Sequence, residues 1–390
     1  MNNTIDACGS ALAHAALASV SAVTRALLDA GVAIAATSAM ESMAKSDEDE
    51  RGIIAFAQLC RRLHDKQCLS LDAVVDTLFT QGICRDSFLG ALALMKGGVI
   101  SREIGDPHRV AGDDWIHRLA RYGGEHDDDP FLGLNDASPS PLISLRERFE
   151  CLVRAGFSLE ATPALPRSPL CLAVTHNNLR AVRALLDAGA DVDGLHAQGT
   201  TPLHIAVEAE ALPIIELLLD HGASLGIADN EGRTPLYLAT ACGSKSVVER
   251  LLAYKPDIDA ANFLKHTPLH RAVLDGSIEI ARLLLAHKAD VHAIDTLKRT
   301  PLHLAAIHGM DAMIDVLVRH GADVNAKSMH QQTPLYFAVL WRRVAVVDAL
   351  LRHGADPNLG PRPSSKPLLV ARDRHHTEII NLLIKHGGTD

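Results

Sequence analysis

Aromatic side chains are scarce in this chain, 4% of its 390 residues, which excludes a core built on large rings and suits one of small aliphatic side chains. Cysteine is no framework either. The seven cysteines (Cys8, Cys60, Cys68, Cys84, Cys151, Cys171 and Cys242) are odd in number, scattered and never spaced as CxxC, so a reduced, cytoplasmic setting is expected over a disulfide scaffold. Positive charge is lacking: the net charge is −9. Residues 1–134 hold 12 Lys/Arg against 19 Asp/Glu, a net of −7, and residues 135–390 hold 26 against 28, a net of −2. Neither balance favours nucleic acid as a partner.

No run of 18 apolar residues occurs, so no membrane span and no membrane partner is expected. The Ala-rich stretch Ala11–Ala36 is not read as a signal peptide, because no basic residue precedes it and His14, Arg25 and Asp29 interrupt it. G-x-S-x-G, Walker-type loops, HExxH and a local Cys/His dyad signature are all missing. The densest group of metal-ligand types is His108, Asp113, Asp114, His117, His126 and Asp127–Asp129. It matches no ligand spacing and reads as a solvated acidic loop. No catalytic residue, metal or cofactor is therefore expected.

What the chain does have is a period. Proline stands at 169, 202, 235, 268, 301, 334 and 367, a step of 33, with leucine one residue later and alanine four residues later each time. Threonine precedes the proline at 201, 234, 267, 300 and 333. A hydroxyl that can accept from first-turn N–H groups, followed by a residue that needs no N–H, is a helix start. A second helix carries paired apolar residues, from Leu185-Leu186 to Leu383-Ile384, and stops at Gly189, Gly222, Gly321, Gly354 and Gly387, where glycine takes a left-handed conformation without steric cost. Lys255 and Lys288 stand in that glycine column. Each should carry roughly 1 kcal/mol of strain if it is left-handed, and Pro256 should push Lys255 toward an extended conformation instead.

The 33-residue beat opening on Thr300-Pro301-Leu302-His303-Leu304-Ala305 resembles the ankyrin repeat family, one β-turn and two helices per unit. The resemblance covers residues 168–390. It implies an all-α, ankyrin-type helical solenoid with short β-turn or hairpin connections, and work that consists of binding another protein. His204, His270 and His303, after T-P-L, are expected to hydrogen-bond between neighbouring turns rather than hold metal. The last unit carries Arg372, Asp373, Arg374, His375 and His376, the polar outer surface of a capping repeat.

The earlier chain reads as an α-helical N-terminal region, residues 1–134, ahead of an array at 135–390. Arg25–Gly31 is identical to Arg183–Gly189, and Val74–Gly82 echoes Val346–Gly354, so degenerate units are expected there. Helical patterns cover about 53–64, 71–81 and 86–96. Trp115–Gly123 and Phe149–Gly156 look like further second helices, and Glu41–Arg51 like a charged loop.

In such a stack, the family resemblance places the turns and the exposed side of the first helices on one concave face. Phe263, Leu264, Leu297, Met329, Tyr336 and Trp341 then make an apolar strip over the fourth to sixth units, rimmed by Arg299, Arg342 and Arg343. Large exposed apolar side chains with arginine beside them are typical binding anchors. Leu274, Ile307 and Leu340 belong either to that strip or to the packing between helices. The reading preferred is a non-catalytic interaction protein, acting as an inhibitor or neutraliser of its partner. The alternative is an effector or enzyme whose first 134 residues do chemistry while the repeats recruit substrate.

Overall fold

A computed structural model of the chain describes residue 120 and residues 145–154, 158–160 and 167–389. The degenerate units, helices and acidic loop expected within residues 1–134, apart from Ala120, lie outside the described residues, as does the expected boundary near residue 134. The chain divides into two compact units, Met1–Ala197 and Gln198–Asp390.

In the first unit α1 (Leu145–Arg154) and α2 (Pro169–Thr175) both pack on α3 (Leu179–Asp187). A helix thus forms where the Phe149–Gly156 pattern placed one, and Phe149 is fully buried. Ser168 starts α2 by accepting from the Cys171 N–H at 3.2 Å, and Asn178 starts α3 by accepting from the Ala181 N–H at 3.0 Å.

The second unit is six successive helix pairs: α4 (Pro202–Glu208) and α5 (Leu212–Asp220), α6 (Pro235–Ala241) and α7 (Lys245–Ala253), α8 (Pro268–Leu274) and α9 (Ile278–Ala286), α10 (Pro301–His308) and α11 (Asp311–Arg319), α12 (Pro334–Leu340) and α13 (Val344–Arg352), α14 (Pro367–Asp373) and α15 (Thr377–Lys385). None of the described residues lies in a β-strand. Each first helix packs on the next first helix, and from α7 onward each second helix packs on the next second helix. The stack follows from the side chains. Proline, leucine and alanine at the beat are buried in every first helix. A seven- to nine-residue helix is too short to be stable alone, so this shared burial supplies its stability.

Both chain reversals within a unit are left-handed. The end of the first helix falls on Glu210, Gly243, Gly276, Gly309, Arg342 and His375, all with φ between 52° and 81°. The end of the second helix falls on glycine except at Lys255 (φ 54°) and Lys288 (φ 70°). Lys255 is therefore left-handed, not extended as Pro256 suggested. Clash with a following proline ring acts on the right-handed helical region, and the left-handed one is what turns the chain out of the helix. The proline has a different consequence. In neighbouring units the residue after the left-handed position donates its N–H back to the helix, Ala223 to Leu218 and Ala289 to Leu284, each at 3.0 Å. Pro256 has no N–H to give, and the Leu251 carbonyl accepts from Tyr254 at 3.1 Å.

The pair α14 and α15 shows the polar surface expected of it. In α14 only Pro367, Leu368 and Ala371 are buried, and Arg372, Asp373, Arg374 and His375 are exposed.

Candidate functional site

The turns between helix pairs are built around one polar column, Asp229, Asn262, Asp295 and Ser328, again 33 residues apart and buried except for the half-buried Asn262. Asp295 Oδ1 accepts from the N–H groups of Leu297 and Arg299, both at 2.8 Å, and Oδ2 accepts from Arg299 Nε at 2.7 Å. Asp229 makes the same three bonds with Glu231 and Arg233. Asn262 accepts from the N–H groups of Leu264 and His266 at 3.0 and 2.9 Å. Burial works to raise the Asp295 carboxyl, but the bonds from Arg299 and Leu297 outweigh it and hold the group below its ordinary value. A side chain that closes its own turn in this way substitutes for a missing backbone ladder.

A second column ties each turn to the helix pair before it. His204, His270 and His303 are fully buried. Each Nδ1 accepts from the backbone N–H of the threonine that starts its helix, at 3.1, 3.3 and 3.1 Å. Each Nε2 meets the carbonyl of Arg233, Arg299 or Gln332 in the following turn at 3.1, 3.2 and 3.0 Å. A carbonyl can only accept, so these imidazoles are neutral with the proton on Nε2. Burial pushes His270 and His303 down to about 4, and His204 in the same direction. Tyr237 takes this place in its own unit, its hydroxyl accepting from Asn262 Nδ2 at 3.2 Å.

Consecutive turn tips are joined by backbone bonds: Asn230 N–H to the Gln198 carbonyl, Phe263 to Glu231, Thr296 to Leu264 and Met329 to Leu297, at 2.9–3.3 Å. On this row stand large apolar side chains turned to solvent: Phe263 is 73% exposed, Leu264 57%, Leu297 43% and Met329 48%. The Phe263 ring lies across Gly232, where a Cβ would come within 2.9 Å of Cδ1. Ile294, 47% exposed at the start of the same turn as Leu297, belongs to the row although sequence reading did not select it. Its column holds Ala228, Ala261 and Lys327 otherwise, so only exposure reveals it.

Trp341 and Arg342 stand elsewhere. Trp341, 56% exposed, is the C-cap of α12, about 10 Å of helix away from the turn that carries Met329. Arg342 beside it is exposed. Arg343 folds back over Gly309 and donates from Nε to the Ile307 carbonyl at 3.1 Å. Arg299 is tied into its own turn through Asp295. Tyr336 is half-buried in the column of His204, Tyr237, His270 and His303, its ring edge-on to Phe337. Leu274, Ile307 and Leu340 are half-buried, so they serve the packing and the surface at once. The expected strip is thus two patches, a row of turn tips and the α12 terminus.

Three copies of a family model described as ankyrin repeats match residues 146–229, 222–295 and 290–361. The chain belongs to the ankyrin repeat family. Among solved structures, the ankyrin repeat domain of Bcl-3, described as a unique member of the IkappaB protein family, is 33% identical with a TM-score of 0.52. The match covers 56% of this chain and 98% of that one. No curated protein matches the chain. Ankyrin repeats mark a protein–protein interaction module. No group of three or more metal-ligating side chains occurs among the described residues, and burial pushes the Cys171 thiol up to about 11, the opposite of what a nucleophile needs. No helix among the described residues is long and apolar enough to cross a membrane.

Proposed function

We propose that this ankyrin repeat protein is a non-catalytic binder that holds one partner protein on the turn-tip row of its second unit, with the α12 terminus as a second anchor, and so blocks the partner surface it covers. The observation that supports this reading most is the row itself. Phe263, Leu264, Ile294, Leu297 and Met329 expose apolar surface from three successive turns whose backbones are fixed by half-buried Asn262 and buried Asp295 and Ser328. A rigid platform with apolar side chains that the fold does not use loses little conformational entropy on binding. A cytoplasmic setting, in keeping with the free thiols of Cys171 and Cys242, belongs to the same proposal, as does the exclusion of nucleic acid and membrane as partners.

The test is affinity capture with the intact chain, identification of the bound protein by mass spectrometry, and calorimetric titration of that protein against Phe263→Ala and Trp341→Ala. Each substitution is expected to weaken binding by about 2 kcal/mol or more, as truncated hot spots do, with the helical circular dichroism unchanged. Unaltered affinity in both variants refutes this face as the docking surface.

A further inference from the structure

The turn-tip row also carries a charge pattern, and on the reading above it narrows the partner. Residues 261–275, 294–308 and 327–343, the turns and first helices of the fourth to sixth units, hold seven Lys/Arg against two Asp/Glu. The second helices and connections between them, 276–293 and 309–326, hold three against five. Both aspartates in the first set are already matched, Asp275 by Arg271 and Asp295 by Arg299, each at 2.7 Å. Lys265, Lys298, Lys327, Arg342 and Arg343 are left, all exposed, with no carboxylate among the described residues in ion-pair reach. In a chain of net charge −9, this face is locally cationic.

Two of these cations occupy costly positions. Lys265 (φ 58°) and Lys298 (φ 54°) are left-handed at the tip position that Gly232 fills without strain one unit earlier. Nothing in the turn needs a lysine there, because Asn262 and Asp295 already satisfy the turn's N–H groups. The side chains point the charge outward beside Leu264 and Leu297, which are themselves exposed. Apolar and cationic groups therefore alternate along the row.

The spacing of the row selects a conformation. First helices in contact lie roughly 8–10 Å apart, and the turns they carry repeat at the same interval. A polyproline II segment returns to the same face every three residues, a rise of about 9.3 Å, whereas a β-strand presents a given face every two residues, about 6.6 Å.

We propose that the row binds an extended, acidic segment of the partner in a polyproline II-like conformation, with an apolar side chain at every third residue seated among Phe263, Leu264, Leu297 and Met329, and carboxylates between them facing Lys265, Lys298 and Lys327. Single-stranded nucleic acid would answer the charge, but it stacks on aromatic faces. Among the described exposed side chains on the row, Phe263 and the imidazole of His330 alone offer a ring, too few to stack successive bases along it.

The experiment is fluorescence anisotropy of labelled synthetic peptides against the intact chain. The probe (Leu-Asp-Pro)4 is expected to bind at least ten-fold more tightly than (Leu-Lys-Pro)4, (Ser-Asp-Pro)4 or the four-residue-period peptide (Leu-Asp-Asp-Pro)3, and to weaken as salt rises. Its affinity is expected to fall ten-fold or more in Leu297→Ala and in the double variant Lys265→Glu/Lys298→Glu, with circular dichroism unchanged. No binding, binding indifferent to peptide charge or period, or equal capture of a twelve-nucleotide DNA strand overturns the proposal. If the peptides fail while a captured partner protein still loses affinity on Phe263→Ala, the docking face stands and the acidic extended segment falls.

Discussion

Acid should loosen this stack well before its surface carboxylates titrate, and the buried histidines set the size of the effect. His270 and His303 are fully enclosed and held near 4. In the unfolded chain each returns to about 6.5. Between those values the unfolded state binds a proton that the folded state refuses, so stability falls as pH falls. The contribution is fully present above pH 6.5, is down by about 2 kcal/mol per histidine at pH 5, and by about 3 kcal/mol at pH 4, where the folded imidazole itself protonates. The structural reason is plain. A proton on Nδ1 would face the backbone N–H of Thr267 or Thr300, which now donates to it at 3.3 or 3.1 Å. The assay is urea denaturation of the intact chain at pH 7.5, 6 and 5, alongside His303→Tyr. Tyrosine is the residue this position already carries at Tyr237, and it does not protonate in that range. The variant should lose about 2 kcal/mol less than the parent between pH 7.5 and 5. Identical losses would refute the assignment of His303 as a buried neutral link.

Three further outcomes follow from the turns. Lys288→Gly should raise stability by about 1 kcal/mol by removing left-handed strain, and Lys255→Gly should match it, since both lysines are left-handed; thermal or chemical melts showing no gain at either would contradict that backbone. Asp295→Ala, which deletes three bonds at once, should cost about 2–3 kcal/mol, whereas Asp295→Asn, the residue nature uses at Asn262, should cost about 1 kcal/mol; equal losses in denaturant titrations would mean that the Arg299 pairing, not the turn closure, matters. Gly232→Ala should cost more than about 1 kcal/mol, because the backbone there is left-handed and the added Cβ falls within 2.9 Å of both the Phe263 nitrogen and ring, and a change in the NMR shifts of the Phe263 ring protons would report the displaced ring.

Much of this was written in the period. Proline at all seven beats, with threonine before it at five, marks helix starts because the chemistry is local: one hydroxyl, one missing N–H. The histidine links between turns were legible for the same reason, since His204, His270 and His303 follow T-P-L at one register, with Tyr237 and Tyr336 in their place in two units. What escaped was set by context. The Asp229, Asn262, Asp295, Ser328 column has the same 33-residue spacing, but three different residue types share it, so an identity pattern hides a common acceptor role. Lys255 followed the helix end over its proline neighbour because the chain reversal is demanded by the next unit's position, a tertiary constraint. Trp341 and Met329 looked like members of one strip, since the helix start at Thr333-Pro334 does not by itself show that the turn and the far end of α12 carry separate patches.

The columns and the tips divide the labour in a way that makes binding separable from folding. His270, Asp295 and Thr300 are buried and bonded on every side that the turn offers, so changes there move stability and, through the backbone of Leu297, the surface as well. Phe263, Leu264 and Leu297 contribute side chains that no helix covers, so the stack gains little from their size. Burying them in water-free contact with a partner is where their apolar area acquires energetic weight, about 25 cal/mol per Å² removed from water. The same backbone bonds that align the tips, Thr296 to Leu264 and Met329 to Leu297, keep those areas in register without any contribution from the side chains themselves. A surface arranged in this manner can change its partner by substitution at the tips alone while the buried columns stay fixed.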